Sequence, residues 1–336
     1  MKKITTVLAG ALALAGFLAL PAEAQIREQK FRLGFQTNLN TVQGQGVQKF
    51  ADAIATKSGG KMKMDVFPGG TLGGDLQTIA AIRGGTVDAS VLATSTLVGL
   101  VKEYGLFDLP FLFQNHEEAA AVIDGPFGKR LTGLLAEKGV ISFGYWGVGF
   151  RNLTNSRRPV ATLDDVKGLK IRVLQNPVYV DLWSALGANA VPMPFPEVYT
   201  ALEQKAIDGQ ENPAATIVSN KLFEVQKYYS HTKHIYFVAT LIFGKPTWDR
   251  LNDEERKVIE AAALETRNDW WRPKAIQEDG ELNEELKKSL SVSEISPAEL
   301  EKFRAATKSV VDKHAAAADP VVVKELFDSV AKARGK

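Results

Sequence analysis

Apolar segments with a period of two alternate with segments of helical period in the first hundred residues. "FRLGFQTN", which begins at Phe31, is typical of a strand, and so are "KMKMDVFPGG" and "TVDASVLA". Helices are predicted between them, over about 42–57 and from Asp75 to about Arg83, where Gly84-Gly85 ends the second helix. The order of elements is β-α-β-α-β.

A second unit with the same order begins at residue 168. "LKIRVLQN", "ANAVPMPF" and "IDGQENP" provide the strands, and "PVYVDLWSALG" and "PEVYTALEQKA" the helices, with Pro177 and Pro196 near their starts. Segments 76–88 and 196–208 correspond at a fixed offset of 120. Alternating strands and helices imply parallel sheets covered by helices, and two units suggest two lobes with a ligand cleft at the strands' carboxyl ends.

The last third of the chain has a helical pattern. Residues 252–290 are nearly continuous helix, interrupted at Pro273, where a kink is expected. Ser296-Pro297-Ala298-Glu299 is a capping box that opens a further helix. A long helix this late in the chain should pack across both lobes and connect them.

The pattern predicts how the chain is divided between the lobes. Lobe I is expected to comprise 25–148 and about 238–275, and lobe II 149–237 and about 276–336. The crossovers near 149 and 237, together with the Pro273 helix, are the predicted hinge.

The first 24 residues have the pattern of a secretory signal peptide. Lys2 and Lys3 precede an apolar run over 7–20, and Ala22-Glu23-Ala24 supplies a cleavage site. The run is short for a spanning helix, although a retained membrane anchor is the alternative. Cleavage after Ala24 would remove two lysines and one glutamate and leave 312 residues of net charge +1. We therefore expect a periplasmic protein.

Composition narrows the chemistry further. The chain has no cysteine, which excludes disulfides, thiolate catalysis, Cys-based metal sites and a lipid anchor on an N-terminal Cys. The near-zero net charge argues against nucleic acid as a partner. There is no G-x-S-x-G, Walker A or G-x-G-x-x-G motif. His231 and His234 have a spacing that could place two metal ligands on one helix face, but no carboxylate pattern accompanies them. We expect no enzyme, no metal and no cofactor.

Polar side chains remain at the predicted strand ends, where a shared cleft would lie. Gln36 and Asn38 close the first strand, Arg151 follows an aromatic strand, and Arg172 and Asn212 end strands of the second unit. An arginine fork matches the two oxygens of a carboxylate, and a desolvated pair is stronger than a surface pair. Surface ion pairs are the alternative for each arginine.

Several motifs then identify the chain as similar to a known family. "KGLKIRV", "EVYTAL" and "DGQENP", within 151–213, resemble the substrate-binding subunit of tripartite ATP-independent periplasmic (TRAP) transporters of the DctP type. "GGTLGGDLQTIAAIRGGTVDAS" and "LFDLPFLF" fit the same family. The resemblance spans essentially the whole chain.

The resemblance implies an α/β, two-lobed periplasmic-binding-protein fold (type II-like). It also implies closure around an organic acid anion, which is delivered to TRAP membrane permease subunits. The family's carboxylate-binding Arg falls on Arg172, its second basic contact on Arg151 and its Asn on Asn212. The remaining positions that the resemblance implies are an aromatic at Phe195, a polar residue at Gln175, and Gln36, Asp75 and Thr94 in lobe I. Some relatives bind through a cation and have Glu-Trp at the Glu211-Asn212 position, so the family pattern argues against a metal here.

The ligand is predicted to be a sugar acid or hydroxy acid. No basic group is identifiable in lobe I for a second carboxylate, and Asp75 should repel one and accept hydrogen bonds from hydroxyls. Alternatives are a C4-dicarboxylate or other monocarboxylate, the binding protein of another importer or a chemosensor, and a periplasmic enzyme acting on a small acid. A monomer is expected.

Overall fold

The computed structural model describes residues 25–335, so the predicted signal peptide lies outside the described residues. Within that range the predicted α/β class is confirmed, and all strands belong to one sheet of nine. No helix between residues 25 and 335 combines the length and apolarity needed to cross a membrane.

The strands and helices follow in chain order. The strands are β1 (Gln29–Phe35), β2 (Met62–Phe67), β3 (Ala89–Ala93), β4 (Val140–Asn155), β5 (Lys170–Val173), β6 (Asn189–Pro192), β7 (Gly209–Asn212), β8 (Tyr228–Gly244) and β9 (Ser291–Ser293). The helices are α1 (Val42–Lys57), α2 (Asp75–Arg83), α3 (His116–Ile123), α4 (Pro126–Glu137), α5 (Pro177–Ala185), α6 (Val198–Glu203), α7 (Ala214–Ser219), α8 (Lys245–Trp248), α9 (Asp253–Glu265), α10 (Arg272–Leu286), α11 (Pro297–Ala317) and α12 (Pro320–Ala333).

The predicted units are both present, and local sequence explains their boundaries. β1 pairs in parallel with β2 and β3, and β5 pairs in parallel with β6 and β7. The Thr41 side chain caps α1 by accepting from the Gly44 N–H, and the Asn176 side chain caps α5, which begins at Pro177. The carboxyl ends of both parallel groups therefore meet at one cleft.

Two long antiparallel strands join the units, so the sheet is mixed rather than purely parallel. Its order is β2-β1-β3-β8-β4-β7-β5-β6, with β9 added to β8. Gly149 of β4 pairs with Phe237 of β8, next to a register shift, at the two predicted crossovers. Gly149 has φ +140°, a conformation that glycine adopts without strain.

The long late helix connects the two units as predicted. Ile259 of α9 packs in one core with β1 and α1, whereas Leu286 of α10 packs in another with α6 and α7. Between α9 and α10 the chain forms a π-helical segment, Thr266–Trp271, directly before Pro273. Proline lacks the N–H for a helical bond, which explains the interruption at this point.

The last two helices pack on different units. α11 lies against α5, whereas α12 lies against α3 and α4, where Val322 and Leu326 join the core that contains Leu131. The lobe boundaries stay a prediction, and this packing favours grouping α12 with lobe I. We keep lobe I for the unit built on β1–β3 and lobe II for the unit built on β5–β7.

Candidate ligand-binding site

A cavity lies between the two lobes at the carboxyl ends of the parallel strands. Its walls combine β1, α1 and α2 on the lobe I side with β5, β7 and α7 on the lobe II side. The predicted site residues that line it are Gln36, Asp75, Arg151, Arg172, Gln175, Phe195 and Asn212. The fold thus brings together residues that are up to 176 positions apart in the chain.

Arg172 has no acidic partner. It lies in β5, is 2% exposed, and its Nε and Nη2 donate to the Met193 carbonyl at 3.0 and 2.7 Å. Within residues 25–335 no carboxylate oxygen lies within 4.0 Å of its guanidinium. Burial, reinforced by the charge of Arg151, lowers the pKa of Arg172 to about 10. A buried cation without a counter-ion is costly, so this side chain is suited to receive an anion.

Arg151 is, by contrast, already neutralised. Its Nε and Nη2 bind the two carboxylate oxygens of Glu211 at 2.5 and 2.8 Å, and both side chains are fully buried. Burial alone would raise the pKa of Glu211, but the Arg151 charge and hydrogen bonds from His234 and Arg151 hold that pKa below its ordinary value. The buried Arg151 Nη1 has no hydrogen-bond partner among the described residues.

His234 completes this buried pair. Burial lowers the pKa of His234, so the imidazole is neutral at pH 7. Its Nε2 lies 2.8 Å from Glu211 Oε2 and its Nδ1 lies 2.8 Å from the Thr232 hydroxyl. Because a carboxylate only accepts, Nε2–H donates to Glu211 and Nδ1 accepts from Thr232.

Lobe II contributes further polar and aromatic groups. The Asn212 amide nitrogen donates to Gln210 Oε1 at 2.5 Å, which fixes the orientation of the amide. The Phe195 ring lies with its centroid 5.7 Å from the Arg172 guanidinium carbon. Gln175 is the second residue after the end of β5 and is half-buried. This wall therefore offers nitrogen donors beside one aromatic face.

The lobe I wall offers acceptors. The Gln36 side-chain nitrogen donates to the Gly73 carbonyl at 3.1 Å, while its Oε1 is buried without a hydrogen-bond partner. Asp75 Oδ1 is likewise buried and unpartnered. Burial raises the pKa of Asp75 to about 7, against the opposing charge of Arg172. An acceptor that is buried without a hydrogen-bond partner costs free energy, so binding of a ligand that donates to it is favoured.

Asn38, which was expected at the cleft, does not line the cavity, and its amide nitrogen lies 3.5 Å from Asn220 Oδ1. Thr94 is likewise placed elsewhere. It is fully buried, and its hydroxyl donates to the Val238 carbonyl at 3.0 Å. Thr96, two residues further on, lines the cavity instead. A 3-10 turn begins at Thr94, so the side chains there do not alternate as they would in a continued strand.

Three cavity residues at the start of α1 were not anticipated. Thr37, Thr41 and Gln43 line the cavity, and the Thr37 hydroxyl donates to Gln43 Oε1 at 2.9 Å. All three lie between the end of β1 at Phe35 and the first turn of α1, which begins at Val42. Extending the search from strand ends to the first turn of the next helix would have found them.

The two lobes touch at the mouth of the cavity. A methyl group built on Gly70 of lobe I would lie 2.5 Å from Pro196 Cγ, and one on Gly74 would lie 3.3 Å from Pro194 Cβ. Gly70 also has φ +70°. Glycine thus permits the close approach of the lobes here.

Residues 25–335 contain no group of three or more histidine and acidic side chains arranged to hold a metal ion. His231 and His234 lie in strand β8 rather than on a helix face. The His231 ring pairs with Glu294 at 2.5 Å, and His234 with Glu211. The spacing therefore does not bring the two rings to one site.

Comparisons with known proteins agree with this geometry. Residues 33–318 match the DctP family, bacterial extracellular solute-binding protein family 7. The 2,3-diketo-L-gulonate-binding periplasmic protein YiaO of Escherichia coli (strain K12) is 37% identical over 269 residues, 80% of this chain and 81% of YiaO.

Solved structures are similar over nearly the whole chain. The sugar acid binding protein DctPAm from Advenella mimigardefordensis, in complex with galactonate, has a TM-score of 0.89 and 38% identity, covering 92% of this chain and 99% of that one. A TRAP periplasmic solute binding protein from Ochrobactrum anthropi, with a C-terminus bound in its ligand pocket, has a TM-score of 0.81 and 46% identity, covering 92% and 97%.

Proposed function

Because the chain belongs to the DctP family of bacterial extracellular solute-binding proteins, we propose that it captures a sugar acid or hydroxy acid anion and delivers it to a TRAP membrane permease. The observation that carries the proposal is Arg172, a buried guanidinium with no acidic partner at the wall of the cavity. A ligand carboxylate supplies the missing negative charge. The role is capture and release, not catalysis.

The proposed ligand contacts divide between the lobes. Arg172, the free Nη1 of Arg151 and Asn212 hold the carboxylate, and Phe195 packs on the ligand. Gln36 and Asp75 accept hydrogen bonds from hydroxyls, for which their unpartnered oxygens are the support. Gln175 is proposed as a further polar contact, and Thr94 as a residue that supports the wall from behind.

The relatives support a hydroxylated acid. DctPAm is described as a sugar acid binding protein and contains galactonate, and YiaO is described as binding 2,3-diketo-L-gulonate. The Ochrobactrum anthropi protein holds a C-terminus, which is also a carboxylate, in its pocket. Acids of this type carry one carboxylate and several hydroxyl donors, which suits the two different walls.

We further propose a periplasmic, monomeric protein released by cleavage after Ala24. Closure follows ligand contact with both lobes, because only the closed arrangement offers both walls at once. The strand pair at Gly149 and Phe237 and the π segment before Pro273 are the proposed hinge. The closed form is the one the permease receives.

A thermal-shift screen of residues 25–336 tests the proposal, followed by calorimetry on any acid that responds. The panel contains galactonate, galacturonate, erythronate, succinate, a 2-oxoacid and an aromatic acid. A ligand at a hundred times its Kd adds about 2.7 kcal/mol of stability. Arg172→Lys should weaken binding of the responding acid by about a hundredfold, because lysine cannot form the two-pronged contact.

Arg157→Lys is the matched control, since Arg157 is an exposed lobe II arginine beside Asp208. It should leave the Kd unchanged. If no acid stabilises the protein, or if Arg172→Lys binds as tightly as the control, the proposed capture role is wrong. A response to succinate alone would retain acid capture and replace the sugar acid by a C4-dicarboxylate.

A further inference from the structure

Asp108 is a buried carboxylate that the acid site described above does not use. It ends the 3-10 turn Lys102–Asp108 and is 1% exposed. Its chain neighbours Phe107 and Leu109 pack in the lobe I core. Among residues 25–335 no cationic nitrogen lies within 4.0 Å of the Asp108 carboxylate. Burying a carboxylate without an ion pair is costly unless hydrogen bonds compensate.

Three neutral donors provide that compensation, and they come from both lobes. Ser95 Oγ donates to Asp108 Oδ1 at 2.7 Å, and the Tyr179 hydroxyl donates to the same oxygen at 3.2 Å. Asn176 Nδ2 donates to Asp108 Oδ2 at 3.0 Å. Ser95 follows β3 of lobe I, whereas Asn176 and Tyr179 belong to the first turn of α5 in lobe II. One carboxylate thus joins the two lobes behind the cavity.

Asn176 has little freedom once this bond is made. Its Nδ2 also donates to the Ser95 carbonyl at 2.9 Å, and its Oδ1 accepts from the Val178 N–H at 2.8 Å as the cap of α5. Both ends of the amide are occupied, so its orientation is set by Asp108, Ser95 and the helix together.

Each partner of Asp108 is adjacent to a wall of the acid site. Gln175 precedes Asn176 and Thr96 follows Ser95, and both line the cavity. The Tyr179 ring lies with its centroid 5.3 Å from the guanidinium carbon of Arg151. Asp108 itself does not line the cavity. It therefore reaches the ligand only through these neighbours.

We propose that Asp108 is a positioning residue for the acid site, which holds Gln175 and Thr96 in register across the two lobes and keeps Tyr179 against Arg151. A carboxylate suits this position because both of its oxygens accept, and every group that faces it donates. An amide at 108 would present its own N–H₂ to a donor. The proposal rests on the proposed function in one respect, because its test measures the binding of an organic acid.

The test compares four proteins by calorimetry with galactonate, or with the panel acid that binds the wild type most tightly. Asp108→Asn should raise the Kd about tenfold, and Asn176→Asp should raise it further because two carboxylates then face each other. The double variant Asp108→Asn/Asn176→Asp exchanges amide and carboxylate, and aspartate still caps a helix. The exchange restores one donor and one acceptor between positions 108 and 176 but removes the donor to the Ser95 carbonyl. The Kd of the double variant should therefore rise less than the two single effects combined.

Glu103→Gln is the matched control. Glu103 lies on the same 3-10 turn, is 7% exposed, and accepts from the Asp319 N–H at 3.2 Å, away from the cavity. Glu103→Gln should leave the Kd unchanged even where it lowers the Tm. This separates a general loss of stability from a change in the site.

The outcomes separate the two proposals. If the wild type binds no acid, the proposed function fails before the variants are compared. If the wild type binds and Asp108→Asn keeps its Kd within about twofold, Asp108 is only structural and the inference is wrong. It is also wrong if the effects of Asp108→Asn and Asn176→Asp on the Kd simply add in the double variant, because a positioning contact between the two side chains requires their effects to be coupled.

Discussion

The two walls of the cavity are built on opposite electrostatic principles. The lobe II wall contains two buried arginines, of which one is paired with Glu211 and the other is without an acidic partner. The lobe I wall contains no lysine or arginine among its cavity residues, and its buried atoms without partners are the oxygens of Gln36 and Asp75. Donors thus face acceptors across the cleft.

We infer from this difference that the two lobes recognise different parts of the ligand. A carboxylate is common to all organic acids, and Arg172 is suited to it whatever the rest of the ligand contains. In the proposed complex, the groups that distinguish one acid from another lie opposite the acceptors of lobe I. Affinity for the class is therefore expected to come from lobe II, and selection within the class from lobe I.

The largest expected effect is on the buried pair in lobe II. Glu211→Gln leaves Arg151 buried without a counter-ion and should lower the free energy of unfolding by about 3–5 kcal/mol, measured by urea denaturation at pH 7. Glu211 has a lowered pKa in the fold, so its contribution is complete above its ordinary pKa and is lost as the pH falls through the lower, folded value. The variant should lack this loss of stability at acid pH.

Glu255→Gln is the control for that experiment. Glu255 is also buried, but its partner Arg27 is half-exposed and can return to water. Glu255 also accepts from the Asn252 N–H at the start of α9, so Glu255→Gln should lower the free energy of unfolding by about 1–3 kcal/mol, less than Glu211→Gln. If both variants lost the same free energy of unfolding, the Arg151–Glu211 pair would contribute no more to stability than the partly exposed Arg27–Glu255 pair.

Substitution of Arg172 should change the free energy of unfolding in the opposite direction. Arg172→Met removes a desolvated cation without breaking an ion pair within 4.0 Å, so the ligand-free protein should gain roughly 1–3 kcal/mol in the free energy of unfolding. Stabilisation by the acid should disappear in the same variant. Arg151→Met, which strands Glu211, should instead destabilise the protein. If Arg172→Met and Arg151→Met changed the free energy of unfolding in the same direction, the proposed contrast between the paired and the unpaired guanidinium would be wrong.

The contact between the walls can be weakened at the cleft mouth. Gly70→Ala places a methyl group against Pro196 across the cleft, and should raise the Kd of the acid about tenfold by disfavouring closure. Gly60→Ala, with φ +82° and open space around it, has the same backbone strain without the contact and should keep the wild-type Kd. Calorimetry measures both.

The added methyl group would also lie 3.0 Å from Gln36 Oε1. A second variant is therefore needed to separate this contact from the contact with Pro196. Pro196→Ala in the Gly70→Ala protein removes the opposing ring and should recover most of the affinity. A Kd that stays high in the double variant would assign the loss to Gln36 rather than to closure.

The smallest effect tests selection by lobe I. Galactarate has the chain length of galactonate and a second carboxylate, which Asp75 repels when ionised. Burial raises the pKa of Asp75 to about 7, so it is largely protonated at pH 6 and largely ionised at pH 8. The preference for galactonate should increase about fivefold over that range, equivalent to about 1 kcal/mol of repulsion. Asp75→Asn should remove the pH dependence, and a pH-independent preference in the wild type would exclude this role.

Much of the fold follows from local sequence. The period-two and helical patterns predict β1, α1 and α2 to within a few residues, because caps and alternation act between neighbouring residues. The repeated order of elements predicts two lobes, and Pro273 predicts the interruption of the long helix. Arg172 was recognisable because it lies between the β-branched Ile171 and Val173 near the end of a predicted strand.

The length of β4 and β8 was not predictable in the same way. Both are largely buried along sixteen or seventeen residues and pair with each other and with strands of both lobes. Their polar residues, such as Arg151 and His234, are buried by partners far away in the chain, so no alternation marks their faces. A mixed sheet therefore replaces the two parallel sheets that the pattern suggested.

The sequence by itself determined the family, the order of elements in the two units and the presence of Arg172 near the end of a strand, since these depend on short-range patterns. Arg151 was expected to follow a strand and instead lies inside β4. Only the tertiary structure decided that Arg151 is neutralised by Glu211, sixty residues away, while Arg172 remains unpaired. It likewise placed Thr96 rather than Thr94 in the cavity and brought Asp108 against Asn176. Ion pairing and burial depend on which distant segments of the chain come into contact when it folds. Local patterns along a single sequence do not show which segments these are.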